Sequence, residues 1–256
     1  MQLGMLWMRM MAKRGQRRLG RAQHGALWIA VILAAVITVA VGALVRGKSF
    51  IVVSVLMVIY CMVPFFVSFE RRRPQARELV MVVVMVALAV VSRTAFAWLP
   101  HFKPMAAVIM VAGIALGPST GFVVGALSAL VSSFVFGLGP WTPWQMLSFG
   151  TCGVTFGALA KAGAIPQQGW SWRTRVLVGV AGAAFVIFVA GPILDTSSVF
   201  LMLSRVTPEG VVAVYAAGLP VNAMQGAATF LTLLFAGSPL LDRLARVRAR
   251  YGMMDT

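Results

Sequence analysis

Arg93 is the one charge set inside a long apolar stretch of this chain, so a reading of its chemistry starts there. At ~1.5 Å per residue it lies ~9 Å short of Pro100, where the helical pattern ends. A charge at that depth either snorkels to the bilayer surface or faces an interior contact, because unpaired charge in hydrocarbon is costly. Lys103 follows in the adjoining loop. Further on, Gly139-Pro140-Trp141-Thr142-Pro143-Trp144-Gln145 combines two prolines with two tryptophans into a rigid, amphipathic lip. Trp98, Trp141 and Trp144 equally suit an interfacial aromatic belt. Asn222 and Gln225, three residues apart just after Pro220, share one helix face. They serve either as hydrogen-bond glue between helices or as the polar floor of a pocket. Pockets have mostly apolar walls and a few convergent polar groups. The candidate pocket residues are therefore Arg93, Lys103, Trp141, Trp144, Gln145, Asn222 and Gln225, with Trp141, Trp144 and Gln145 at the mouth.

Much chemistry is excluded. The sequence has no GxxxxGK[ST] phosphate loop, no GxSxG elbow and no HExxH. Its acids, Glu70, Glu78, Asp195, Glu209, Asp242 and Asp255, fall at expected span ends or in loops, which argues against an intramembrane proton relay. Cys61 and Cys152 lie in expected spans and form no disulfide framework, CxxC or metal-binding spacing. No enzyme activity, cofactor or metal is expected.

The elements that carry these residues are membrane helices. Of 256 residues, 60% are hydrophobic and 11% charged, and the mean hydropathy is +0.91. The apolar residues come in runs of ~20, enough for a helix to cross a ~30 Å hydrocarbon core, without the strict alternation of a membrane barrel. The fold class is thus all-α, a polytopic membrane bundle. An N-terminal unit, 1–70, holds a basic tail and a hairpin of spans Ala26–Val45 and Phe50–Phe69. The first of these is read as a retained anchor, because no small-residue cleavage site precedes Arg46. A polar linker, 71–78, leads to a six-helix domain, 79–237, and a basic tail, 238–256. Within that domain, Gly117-Pro118-Ser119-Thr120-Gly121 divides 104–136 into two short pieces, which are either short spans or a re-entrant hairpin. Gly121, Gly125, Ala129 and Ser133, with Gly153 and Gly157, form small-residue stripes suited to close helix packing.

The net charge of +16 is a topology signal rather than a nucleic-acid footprint, because its placement is one-sided. Clusters at Arg9–Arg21, Arg71–Arg77, Lys161–Arg175 and Arg243–Arg250 fall on one side of an even-numbered set of spans. The opposite loops hold Arg46, Lys48, Lys103 and Arg205. Cytoplasmic loops are enriched in Lys and Arg. The expectation is a multi-pass cell-membrane protein with both termini in the cytoplasm.

The stretch from about Ala76 to Gly237 resembles the substrate-binding (S) component of energy-coupling factor (ECF) transporters. The resemblance rests on Arg77-Glu78-Leu79, Phe102-Lys103-Pro104, Gly113-Ile114-Ala115-Leu116-Gly117-Pro118 and Gly125-Ala126-Leu127-Ser128-Ala129. Its strongest piece, Phe136-Gly137-Leu138-Gly139-Pro140-Trp141-Thr142-Pro143-Trp144-Gln145-Met146, is most similar to the group that includes cobalamin-type importers. The resemblance implies a membrane-embedded vitamin-binding subunit that works with a transmembrane scaffold subunit and two cytoplasmic ATPases. It also implies a scaffold-docking face of small residues on the first core helix. Ala87 and Ala89 are the candidates, although Val91 and Arg93 stand four residues after them. The competing classes are a self-sufficient secondary transporter or channel for a small polar solute, and a membrane enzyme or assembly factor.

Overall fold

The computed structural model describes residues 49–71, 75–203 and 207–250, and among these the secondary structure is entirely helical. The expected span Ala26–Val45, the basic tail before it, and Arg46, Lys48 and Arg205 lie outside the described residues. Helix α1 is Ser49–Arg71, the second helix of the expected hairpin. It packs on the bundle through Phe65, which stacks on Phe122 at 4.1 Å between ring centroids. The core follows as α2 Ala76–Ala95, α3 Met105–Leu116, α4 Pro118–Phe136 and α5 Thr142–Lys161. Two long rods complete it. The first joins α6 Trp172–Phe185, a π-helical turn Val186–Ala190 and α7 Gly191–Met202; the second joins α8 Pro208–Thr232, a π-helical turn Leu233–Gly237 and α9 Ser238–Arg250. Four helices among the described residues are long and apolar enough to cross a membrane: Ala76–Ala95, Pro118–Phe136, Trp172–Met202 and Pro208–Arg250. The chain is an all-α polytopic membrane bundle.

The 104–136 block resolves differently from the sequence expectation. The break is a single residue, Gly117, at φ 91° and ψ 168°. A residue with a Cβ resists that backbone conformation, whereas glycine adopts it freely. Pro118 then opens α4 at once, because proline suits the first turn, where its missing N–H is not needed. Ser119 and Thr120 therefore belong to a 19-residue helix that is long enough to span. Helix α3, at 12 residues, is the short one, and every residue from Met105 to Ala115 is buried. A helix apolar around its whole circumference belongs inside a bundle rather than against solvent.

Backbone contact holds the centre together. Helices α4 and α5 share the most extensive interface, with α3 against the same side of α5. Gly113, Gly121 and Gly153 meet there, one from each helix, and a Cβ on any of them would overlap backbone atoms of another. Apolar side chains gain little by exchanging lipid for protein, so this close approach and its dispersion contacts supply the association.

The basic segment after Gly237, read from the sequence as a tail, is helical as far as Arg250 and packs on the bundle. Ser238, Leu241 and Leu244 are buried while Arg243, Arg246 and Arg250 stay exposed, and Arg248 donates to the Ala115 carbonyl. The loops around Phe102 and Gly139 gather at one end of the bundle, called here the aromatic end; Lys161, Arg173, Arg175 and the α9 arginines mark the basic end. If the charge asymmetry is a topology signal, the aromatic end faces outside. A cysteine introduced at Gly139 should then react with an impermeant maleimide in intact cells, and labelling only after permeabilisation would reverse the topology.

Candidate functional site

Met81, Met85, Ala89 and Arg93 continue one buried stripe of α2 at four-residue spacing, so the helix itself turns Arg93 into the bundle. The side chain is 8% exposed, and the snorkelling alternative does not describe it. One terminal nitrogen (Nη1) donates to Ser132 Oγ at 2.7 Å, and the guanidinium stands 4.6 Å from the centroid of the Phe136 ring. The buried Nε has no partner. Lys103, from the α2–α3 loop, sets its ammonium 4.8 Å from the centroid of the same ring. Partial burial, reinforced by the neighbouring Arg93 charge, holds the Lys103 ammonium below the usual lysine pKa.

Helix α5 extends this group. Gln145 Oε1 accepts from Ser133 Oγ at 3.4 Å, next to the serine that holds Arg93. Trp141 is exposed, folds over Gly139 and donates to the Gly137 carbonyl at 3.4 Å. Trp144 stacks on Phe200 of α7, with centroids 6.0 Å apart. One turn further along α5, Ser148 donates to the Ala190 carbonyl at 2.8 Å. Arg93 and Lys103 thus meet on Phe136 at the aromatic end, Gln145 pairs with Ser133 of the same helix as Phe136, and Trp144 ties α5 to the first long rod. Trp98 is 74% exposed, which fits the belt reading.

Asn222 joins a different group. Its Nδ2 donates to Asp195 Oδ2 at 2.7 Å, and both side chains are buried. The fit is reciprocal: Asn222 covers Gly191, one turn before Asp195, and Asp195 covers Gly218, one turn before Asn222. Beside it, Thr196 and Tyr215 share a hydroxyl hydrogen bond of 2.7 Å. Asp195, expected at a span end or in a loop, lies inside the 31-residue helix Trp172–Met202 and is buried there against Asn222. In the structure Pro192 sits in the first turn of α7, and Thr196 and Ser197 return their hydroxyls to main-chain carbonyls of Pro192 and Leu194. Gln225 is half-buried, on the same side of α8 as Asn222. The Ser132–Arg93 contact, Phe136 and Asp195 escaped sequence reasoning. Glycine at four-residue spacing before both Asp195 and Asn222 was the available signal for their pairing.

The docking candidates separate. Ala87 lies on the exposed face of α2 with Val80, Val83, Val84, Leu88 and Val91, whereas Ala89 is fully buried and unavailable to a partner. A groove of about 680 Å³ runs between α2, α3 and the last rod, walled by Leu88, Phe96, Phe102, Leu231 and Phe235. None of the predicted pocket residues lines it.

The described residues thus form a membrane helix bundle with a polar and aromatic cluster at one end. A family model described as ECF-type riboflavin transporter, S component, matches residues 74–246, well over half of the chain. The chain belongs to that family. No curated protein and no solved structure matches it. The family description supports the S-component resemblance but names riboflavin, and it gives the cobalamin-type grouping no support.

Proposed function

We propose that the chain captures a vitamin-class micronutrient on the outer face of the cell membrane. Release inside would be driven by separate subunits, a transmembrane scaffold and two cytoplasmic ATPases. The meeting of Arg93 and Lys103 on the Phe136 ring, with the Ser133–Gln145 pair between α4 and α5 beside the Ser132 that holds Arg93, carries this reading. Cations, an amide and a hydroxyl on an aromatic wall recognise a polar, partly planar solute. Trp141, Trp144 and Gln145 form the mouth. Asn222 supports the wall through Asp195 rather than offering its amide to the ligand, and Gln225 remains a candidate contact beside it. Flavins are the first solutes to test, from the family description. Corrinoids are the second, from the Phe136–Met146 resemblance.

One observation favours a second reading, a self-sufficient secondary transporter. Asp195 is a buried carboxylate within a membrane-length helix, the kind of group through which cation-coupled transporters work. Reconstitution separates the two. The lone chain in liposomes should bind solute without hydrolysing ATP, since the sequence has no phosphate-binding loop. Uptake should begin only when scaffold and ATPase subunits are added. Accumulation by the lone chain under a proton or sodium gradient, abolished by Asp195→Asn, would install the second reading instead.

A further inference from the structure

Resting on the substrate-capture reading, we infer that Arg93 and Lys103 form a receptor for an oxyanion of the captured solute, a carboxylate or a phosphate. Both cations stand over the Phe136 ring, at 4.6 and 4.8 Å from its centroid. Two like charges on one ring repel each other, and the arrangement is electrostatically incomplete. Among the described residues no carboxylate forms an ion pair with either. Asp195, the acid buried within a membrane-length helix, is engaged by Asn222. Arg93 is more than nine-tenths buried and has one nitrogen on Ser132, while its Nε is buried with no partner at all. Buried donors are normally satisfied, and a buried cation without a counter-charge is costly. A ligand oxyanion would supply both missing parts. The planar guanidinium offers paired N–H donors to two oxygens, the ammonium adds a mobile point charge, and the Phe136 ring keeps water from one side. Burial also depresses the protonation of Lys103, and an arriving anion would reverse that effect.

Matched solutes that differ by one charged group test this on the full chain in phospholipid-free maltoside: riboflavin and its 5′-phosphate, cobinamide and its phosphate, nicotinamide and nicotinate. In whichever pair binds, the anionic member should bind at least about tenfold more tightly. Arg93→Gln should erase that preference, Lys103→Gln should reduce it, and Arg93→Lys should restore part of it. Lys103 sits in a loop, so its variant remains informative if Arg93→Gln fails to fold. Equal or tighter binding of the neutral member, or a preference that survives both glutamine variants, overturns the inference and leaves the capture reading standing. Should no member of any pair bind, both readings fall. Native mass spectrometry supplies the last arm: phosphatidylglycerol retained in place of solute, and lost on Arg93→Gln, would assign the receptor to lipid and overturn the solute assignment.

Discussion

Gly153→Ala is expected to leave little folded protein. The added methyl would overlap the carbonyl group of Gly121, while Gly113 approaches the Gly153 carbonyl from α3. These obstacles are backbone atoms in three mutually packed helices, so no side chain can rotate away. Overpacking typically costs about 1–3 kcal/mol where side chains can adjust, and this site belongs at or above the top of that range. Thermal melts followed by size-exclusion chromatography in detergent should show a large loss of monodisperse protein for Gly153→Ala. Ala158→Val, on the exposed side of the same helix, should behave as wild type. A Gly153→Ala variant as stable as the Ala158→Val control would mean that α4 and α5 can part at low cost, against the packing argument.

Asn222→Ala should be the second most damaging change, through a stranded charge. Asp195 has lost most of its water, and the Asn222 amide is its side-chain hydrogen-bond partner. Removing that amide leaves a carboxylate in the bundle with its desolvation uncompensated, at a cost on the order of 3 kcal/mol. The double replacement Asp195→Leu, Asn222→Leu removes both halves and should recover stability relative to Asn222→Ala. The measurement is a double-mutant cycle of melting temperatures. Additive losses would show that the two groups are energetically independent and that Asn222 acts elsewhere, for instance on solute directly.

These two sites also show where the sequence was readable and where it was not. The glycines of α4 and α5 announce a packed interface, because small residues at four-residue spacing have few other uses in lipid. They do not reveal that Gly113 of α3 completes a three-helix contact, since spacing within one helix says nothing of a third. Arg93 was legible as an anomaly because a lone charge in an apolar run always is. Its ring partner was not, because Phe136 looks like any other lipid-compatible aromatic. Asp195 was not legible as a buried partner, because an acid between Pro192 and three hydroxyl residues in a row looks like solvent-facing sequence. Within the bundle, however, Thr196 and Ser197 return their hydroxyls to the main chain and keep the helix running. The all-helical membrane class was clear from composition, whereas the continuity of the last two rods depended on tertiary context that no local pattern carries.

The π-helical turns at Val186–Ala190 and Leu233–Gly237 bear on the history of this chain. Each accommodates one residue more than a regular α-helical turn, the local signature of an insertion absorbed without breaking the helix. A residue step in an α-helix is ~100°, so everything beyond such a turn is rotated by that amount against what precedes it. Without the turn at Val186–Ala190, Asp195 would point about a quarter of the way round its helix from Asn222, into lipid or a neighbouring helix. In the second rod, the turn at Leu233–Gly237 lets the apolar side of α8 pass into the buried Leu241 and Leu244 side of α9 while the arginines of α9 face out. The chain therefore carries two phase corrections, one for each long rod. Their effect is to let the two ends of a single helix answer to different neighbours: a buried carboxylate–amide pair at one end, a cluster of basic side chains at the other.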